Sequence, residues 1–284
     1  MSKLIVNADD FGLHPAVNEG IIKGHCHGII TSTSLLAGAP AFDEAISLGR
    51  NCPNLGIGIH IALVGGISPV CDPSMVPSLL TEKGVFPDTY IELLKRIYTG
   101  KINYVELMME LEAQFKRILD TGLPVTHVDG HQHMHVLPTV LPIVLSLMVK
   151  YNLKAIRIPE ENRFFLNGVY NPVRFVGKAG LSSVASRAFT ICRDRGMASP
   201  RYFWGMINGG QLQEPRLVSI LKEVASKNST HEIMTHPGNN NAALGSLFDW
   251  KYHWEEELSA LCSSQVEQYI RHNRIELINY GDLR

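Results

Sequence analysis

The sequence predicts an α/β fold in which mainly parallel strands form a barrel, and two observations lead to this class. Short apolar runs rich in β-branched residues recur along all 284 residues, and longer stretches with helical spacing separate most of them. This alternation is typical of βα units, in which a crossover joins each strand to the next. Because the runs leave no boundary between two lobes, residues 1–284 are predicted to form a single barrel domain.

Seven runs are predicted as strands because each is short, apolar and bounded by polar or turn residues. They are LIVNAD (4–9), GIITSTSLL (28–36), LGIGIHIAL (55–63), VTHVDG (125–130), KAIRIP (154–159), HEIMTH (231–236) and IELIN (275–279). Their spread over the whole chain favours one curved sheet over two separate ones.

Two helices and one irregular region complete the predicted fold. VELMMELEAQFKRILDTG (105–122) carries an apolar stripe at helical spacing, and Gly122 is placed to end it. VLPTVLPIVLSLMV (136–149) is shorter than the roughly 18 apolar residues of a membrane span, so it is predicted as a buried helix. Residues 160–215 mix aromatics, Gly and Pro without a clean period, which predicts an irregular insertion near a substrate cleft.

Composition and charge argue against several classes of partner. Lys and Arg number 26 and Asp and Glu 27, so the net charge of −1 gives no general attraction to nucleic acid or an anionic membrane. The N-terminus lacks the apolar stretch of a secretory signal, and a cytoplasmic location is expected. A homodimer is compatible with the sequence. The five scattered cysteines are expected to be reduced packing residues: Cys26, Cys52, Cys71, Cys192 and Cys262.

The segment THVDGHQHMHV (126–136) places four of the twelve histidines within nine positions. Imidazole titrates near neutral pH and is the commonest metal ligand, so the cluster indicates acid/base chemistry, metal binding or both. One ion with three protein ligands cannot use every histidine. We assign His131 to the metal and Asp129 to its orientation, and leave the roles of His133 and His135 open.

The ends of the predicted strands carry the other chemical groups. Functional residues of α/β folds gather at the carboxyl ends of strands. Four runs end in such groups: Asp9 and Asp10, His60, Asp129 and His131, and His236. Carboxylate and imidazole are natural ligands of a divalent ion, and a catalytic ion keeps one position open. Asp10, His60 and His131 would make such a site.

The doublet Asp9-Asp10 allows a division of roles. Side chains of adjacent residues leaving a strand point in different directions, so one carboxylate can bind the cation while the other stays free to face the attacking water. The alternative is that one of them caps the following helix, a role that ADDFG would also suit.

Four motifs together resemble the YdjC-like carbohydrate deacetylases, the family that includes chitooligosaccharide deacetylase. They are ADDFG, IGIHIAL, THVDGHQHMH and MTHPG, in this order, and the likeness covers roughly residues 3–160 and 230–284. The resemblance implies a distorted TIM-like barrel, related to the NodB-type polysaccharide deacetylases. It also implies one divalent ion held by Asp10, His60 and His131. This chain departs from the family pattern after His60, where an apolar Ile-Ala-Leu replaces a sequence with a polar residue.

The function that follows is metal-dependent removal of an N-acetyl group from an amino sugar or a short N-acetylglucosamine oligosaccharide. Asp9 would accept the proton of the attacking water, and His236 would protonate the leaving amine, although a packed strand-end histidine is an equal alternative. An Asp and two His accept either Mg²⁺ or Zn²⁺, with the imidazoles favouring zinc.

Two other functions fit the same residues. A metal-dependent phosphoesterase or another amidohydrolase would use the ion on a different substrate, and Arg157 and Arg163 could then contact phosphate. A catalytically silent carbohydrate-binding protein would keep the barrel and bind sugar without hydrolysis. Metal content and acetate release from N-acetylglucosamine oligomers would separate these functions.

Overall fold

The structure is a computed structural model that describes residues 1–162, 164–169 and 172–283. Its centre is a sheet in which every described strand pair is parallel. The strands are β1 (Lys3–Phe11), β2 (Ser32–Leu36), β3 (Gly56–Ile61), β4 (Val125–Gly130), β5 (Tyr202–Trp204), β6 (Thr230–Thr235) and β7 (Glu276–Leu277).

The sheet curves into a partial barrel, which confirms the predicted fold class. Its strand order is β4-β3-β2-β1-β6-β5, and β7 pairs with the start of β1. The two ends approach each other through the segment at 155–156, because single bridges join Val128 to Ile156 and Ala155 to Ala198. The prediction of a strand at 154–159 is therefore wrong, although this segment lies between the two ends of the sheet.

Ten helices surround the sheet in the described part of the chain. They are α1 (Pro15–His27), α2 (Phe42–Arg50), α3 (Tyr90–Tyr98), α4 (Tyr104–Leu119), α5 (Leu141–Lys150), α6 (Pro172–Asp194), α7 (Glu214–Ser226), α8 (Asn241–Leu247), α9 (Trp254–Leu261) and α10 (Ser264–His272). Short 3₁₀ turns lie at Pro73–Met75, Pro77–Leu79, His131–Val136 and Tyr280–Asp282. Within the described residues, no helix combines the length and apolar character needed to cross a membrane.

Helix α4 forms as the sequence predicts. The Asn103 side chain accepts a hydrogen bond from the Val105 N–H and so caps its first turn. The apolar stripe of Leu107, Leu111, Phe115 and Ile118 is buried in the main core. After the helix, Gly122 has a φ of +75°, a conformation that glycine adopts without strain.

The region 160–215 is more regular than predicted, because it contains the 23-residue helix α6 and the short strand β5. Glycines and serines interrupt the apolar period of α6, and packing of Ala185, Ala188 and Cys192 into the core compensates for weak helix propensity. Near the start of this region, the Glu161 side chain accepts hydrogen bonds from three backbone N–H groups after β5.

Candidate active site

The carboxyl ends of β1, β3, β4 and β6 meet at one edge of the barrel and carry the buried polar residues. In β1 the pairing with β2 shifts register between Ala8 and Phe11, and Asp10 has a φ of +68°. Aspartate tolerates this left-handed conformation better than most residues, and such backbone strain is often found at functional sites. The bulge directs the Asp10 carboxylate away from that of Asp9.

Asp10, His60 and His131 form a compact buried cluster, as the strand-end argument predicts. One ligand atom from each lies within 4.8 Å of the others. Asp10 Oδ1 is 3.4 Å from His60 Nε2 and 2.8 Å from His131 Nδ1. Ligand atoms that each lie about 2.1 Å from one ion are spaced about 3 Å apart, so the cluster has the dimensions of a metal site.

The unpaired atoms and charges of this cluster fit a cation. The Nε2 atom of His60, the atom that faces Asp10, is buried and lacks a hydrogen-bond partner. Burial alone would raise the pKa of Asp10, but the two histidines hold it well below its usual value. Burial disfavours the charged imidazole of His60, yet Asp129 and Asp10 raise its pKa to about 10. Positive charge at this place is therefore strongly favoured, and a divalent ion would supply it.

Asp129 lies behind His60 and orients it. The two residues are partners in the β3–β4 register, and His60 Nδ1 donates to Asp129 Oδ1 over 2.8 Å. This bond fixes the tautomer that leaves Nε2 available for a metal. Ser34 donates to the other oxygen, Asp129 Oδ2, which also pairs with Arg157.

The Asp9 carboxylate was expected to be free, but in the structure it is held by Arg157. Its two oxygens accept from Nη1 and Nη2 of Arg157, each over 2.7 Å, and Oδ1 also accepts from Asn7 Nδ2 over 2.8 Å. A carboxylate has about four lone-pair positions, so three donors leave one on Oδ2. A second group with metal-like spacing, formed by Asp9, His60 and Asp129, already has Arg157 as its cation.

The prediction that Arg157 could contact a substrate phosphate is wrong. Its side chain is fully buried, and its guanidinium pairs with three carboxylates, those of Asp9, Asp129 and Glu232. These ion pairs use four of the five N–H groups of the guanidinium, and burial keeps the side chain away from a substrate phosphate. Arg163, the other predicted phosphate contact, lies outside the described residues.

His236 follows the last residue of β6 and so lies at the same edge of the sheet as Asp9. The Thr235 hydroxyl before it bonds to the Asn7 carbonyl of β1. The His236 ring is 4.9 Å from that of Tyr252, and its Nδ1 is buried without a partner. Its backbone N–H donates to the buried Glu257. The position permits a role with substrate, although His236 does not belong to the metal cluster.

The histidines whose roles were left open lie in a 3₁₀ turn beside this cluster. Burial lowers the pKa of His133 well below its usual value and that of His135 to about 4, so both rings are neutral at physiological pH. His135 Nε2 bonds to the Arg157 carbonyl over 2.9 Å, a supporting role. His133 has a φ of +62° and a buried Nδ1 without a partner.

A family model described as YdjC-like protein matches residues 3–272. The chain belongs to the YdjC-like family. Two similar proteins are named carbohydrate deacetylase. The one from Brevibacillus brevis is 32% identical over 99% of both chains, and the one from Thermoanaerobacter pseudethanolicus is 31% identical over 100% of both. A crystal structure from Enterococcus faecalis, described as a candidate for cellobiose-phosphate cleavage, has a TM-score of 0.76 and 27% identity. It covers 98% of this chain and 97% of its own.

Sequence reasoning missed two features of this YdjC-like site. The first is the tether of Asp9 by Arg157, residues that are 148 positions apart and meet only in the folded barrel. The second is a set of aromatic rings on the segment FDWKYHW (248–254), where Trp250 lies 5.4 Å from His131. Alternate aromatic residues in this segment were a visible signal for the second feature.

Proposed function

We propose that the protein is a metal-dependent deacetylase that removes N-acetyl groups from an amino sugar or a short N-acetylglucosamine oligosaccharide. The observation that carries the proposal is the buried cluster of Asp10, His60 and His131 at the end of the barrel strands. Relatives named carbohydrate deacetylase, matched over essentially their whole length, support sugar as the substrate class.

The residues of this chain would divide the work of hydrolysis. A divalent ion held by Asp10, His60 and His131 would polarise the acetamide carbonyl and lower the pKa of the attacking water. Asp9 would take the proton of that water on the remaining lone pair of Oδ2. Arg157 would keep this carboxylate in place, since two parallel N–H···O bonds fix its plane.

His236 would protonate the departing amine. Its imidazole lies next to Tyr252, and the buried Glu257 carboxylate holds its backbone. Burial raises the pKa of the Tyr252 hydroxyl, an effect to which Asp10 contributes, so this phenol remains a neutral donor near the site. Mg²⁺ and Zn²⁺ are both compatible with one Asp and two His.

We also propose that the protein acts in the cytoplasm. The five cysteines are all unpaired, as is usual for proteins of reducing compartments. The partner we propose is a small carbohydrate.

The test is to remove metal with a chelator, restore Mg²⁺ or Zn²⁺, and measure acetate released from N-acetylglucosamine and its short oligomers. We expect activity only with metal, and His60→Ala should lose both the bound ion and activity while remaining folded. His272→Ala, which changes an exposed histidine at the end of α10, is the control. Stoichiometric metal in His60→Ala would contradict the ligand set, and sugar binding without acetate release would favour the silent carbohydrate-binding protein.

A further inference from the structure

Two cysteines that the proposed reaction does not use lie next to each other on α1 and after α2. Cys26 is in the last turn of α1 and is exposed, whereas Cys52 is buried and follows the end of α2 by two residues. The Cys52 thiol is in hydrogen-bonding contact with the Cys26 thiol. An exposed and a buried thiol in contact are an arrangement from which a disulfide can form.

The topology of the barrel explains why these two residues meet. Helix α1 joins β1 to β2 and α2 joins β2 to β3, so the two helices run in the same direction along a parallel sheet. Near their starts, Asn18 of α1 donates to Glu44 of α2 over 2.7 Å. Cys26 and Cys52 each follow these partners by eight residues, about 12 Å of helix. The Cys52 N–H bonds to the Gly49 carbonyl over 3.0 Å, so the chain is still coiled there.

The other cysteines have different surroundings. Cys192 is 1% exposed in the core, and the Cys71 thiol contacts the Glu110 carboxylate. The Cys262 sulfur lies 4.0 Å from a backbone carbonyl of α1 that precedes Cys26 by three residues. Cys262 is therefore the alternative partner that an experiment must exclude.

We propose that Cys26 and Cys52 form a reversible disulfide, and that Cys26 is the modification site at which low-molecular-weight disulfides such as glutathione disulfide oxidise the protein. The Cys26 thiolate attacks one sulfur of glutathione disulfide, forms a mixed disulfide and releases one glutathione. The Cys52 thiol then loses its proton and attacks the Cys26 sulfur, and the second glutathione leaves with the electron pair of the broken S–S bond. The two protein thiols are oxidised, and their two protons end on the two glutathione thiols.

Exposure and burial set the order of these steps. A small disulfide reaches the exposed Cys26, whereas the buried Cys52 is shielded from it. Burial, with a contribution from Cys26, raises the pKa of the Cys52 thiol, so Cys52 reacts only with a sulfur already in contact with it. The bond requires a sulfur separation of about 2.05 Å, and both residues lie at helix ends, where the backbone adjusts more readily than at a helix centre.

The disulfide would lie at the edge of the barrel opposite the candidate active site. Helices α1 and α2 end where β2 and β3 begin, whereas the Asp10, His60 and His131 cluster lies at the carboxyl ends of the strands. The inference is thus independent of the proposed deacetylase function. The link would close the chain between residues 26 and 52 and stabilise the fold by restricting the unfolded chain.

Oxidation of the full chain tests the modification site. Reduced protein is incubated with glutathione disulfide, free thiols are blocked with N-ethylmaleimide, and the peptides are mapped by mass spectrometry without reduction. We expect a Cys26–Cys52 peptide from within one chain, and a rise in Tm of about 3 to 7 °C that dithiothreitol reverses. A Cys26–Cys262 peptide, a link between two chains, or no link would overturn the proposal.

Single substitutions separate the roles of the two thiols. Cys52→Ala should stop after the first step and retain glutathione on Cys26, and Cys26→Ser should gain neither the link nor the rise in Tm. Cys262→Ser, at a partly exposed cysteine, should behave as the parent. Each variant is compared with its own reduced form, which removes any change in stability that the substitution itself causes. A parent protein that retains as much glutathione on Cys26 as Cys52→Ala does would show that Cys52 does not resolve the mixed disulfide.

Discussion

Asp9 and Asp10 are neighbours in the sequence but have different partners in the folded protein. The bulge in β1 turns Asp10 toward two imidazoles, while Asp9 stays in the sheet and meets the Arg157 guanidinium. A ligand and a base placed on consecutive residues need this kind of local distortion, because a regular strand gives them opposite faces without aiming both at one point.

Substitution of each aspartate by asparagine should therefore affect metal binding and activity differently. Asp9→Asn should keep the ion, but its kcat should fall by roughly 10² to 10⁴-fold because the proton acceptor is lost. Asp10→Asn should lose metal affinity first and recover part of its activity in excess metal. Titrating Mg²⁺ and Zn²⁺ into both variants while measuring acetate release checks the assignment. If excess metal restores the activity of Asp9→Asn alone, Asp9 is the ligand and Asp10 the base. Full activity in both variants would mean that the doublet serves only as a helix cap.

Asp129 acts on the metal site only through His60, so its removal should be milder. Asp129→Ala should weaken metal affinity by about 10- to 100-fold, because His60 loses the acceptor that fixes its tautomer. Competition with a chelator of known affinity measures the change. Asp120→Ala, at an exposed carboxylate after α4, is the matched control, and equal metal affinity in the two variants would remove Asp129 from the site.

At the residue scale, the sequence predicted the cluster from the rule that functional groups gather where strands end. Asp10, His60 and His131 follow from that rule, and the structure brings them together. Arg157 does not follow from it, because an arginine in an apolar run looks like an edge residue until its carboxylate partners are known. The partners lie on β1, β4 and β6, and only the folded sheet brings them to one point.

At the scale of elements, α4 holds the end of β3 that carries His60. The Gln114 side chain accepts from the Ala62 N–H and donates to the Ala62 carbonyl, two residues after His60. Glu110, one turn earlier, accepts from the N–H groups of Val70 and Cys71. A charged and an amide side chain on the buried face of the helix thus supply the hydrogen bonds that the loop lacks.

Replacing Gln114 by leucine should leave the buried N–H and C=O of Ala62 unsatisfied. We expect Gln114→Leu to lower the free energy of unfolding by about 2 to 4 kcal/mol, since each unpaired buried group costs about 1–3 kcal/mol. Urea unfolding of both proteins provides the measurement. The same change at the exposed Gln268 of α10 should have little effect. Equal stability of the two variants would show that the Gln114–Ala62 hydrogen bonds do not stabilise the fold.

The elements that could be predicted are those whose own apolar period shows their burial. The stripe of α4 and the runs of β1, β3, β4 and β6 are of this kind, and they appear where predicted. The segment at 154–159 has the composition of a strand, but only single bridges join it to its neighbours. Helix α6 was not predicted, because its sequence signal is weak and the helix is stabilised by tertiary packing of its small residues.

At the scale of the whole molecule, one buried network joins distant parts of the chain behind the site. Arg157 pairs with Asp9 near the N-terminus and with Glu232 on β6. The hydroxyl of Tyr280 donates to Glu232 over 2.5 Å, and its ring stacks on His127 with centroids 3.8 Å apart. The 3₁₀ turn at Tyr280–Asp282 is thus linked to the carboxylate proposed as the base.

Glu232 gives this network a measurable pH dependence. Burial raises its pKa to about 7 against the opposing charge of Arg157, whereas an unfolded chain has a glutamate pKa of about 4.3. Between these values the folded protein binds more protons than the unfolded chain, so the stability from this group is complete below about pH 4 and is lost as pH rises through about 7. Each pH unit in this window removes up to about 1.4 kcal/mol.

Glu232→Gln should abolish that loss, because an amide keeps an acceptor for Arg157 Nε and has no proton to release. Relative to the parent, the variant should gain about 2 to 3 kcal/mol of unfolding free energy between pH 5 and pH 7.5. Urea unfolding across this range under identical metal conditions measures the difference. Glu276→Gln, at an exposed residue of β7, should run parallel to the parent. If Glu232→Gln also runs parallel, Glu232 is ionised throughout the range, and the network holds Arg157 between three full negative charges.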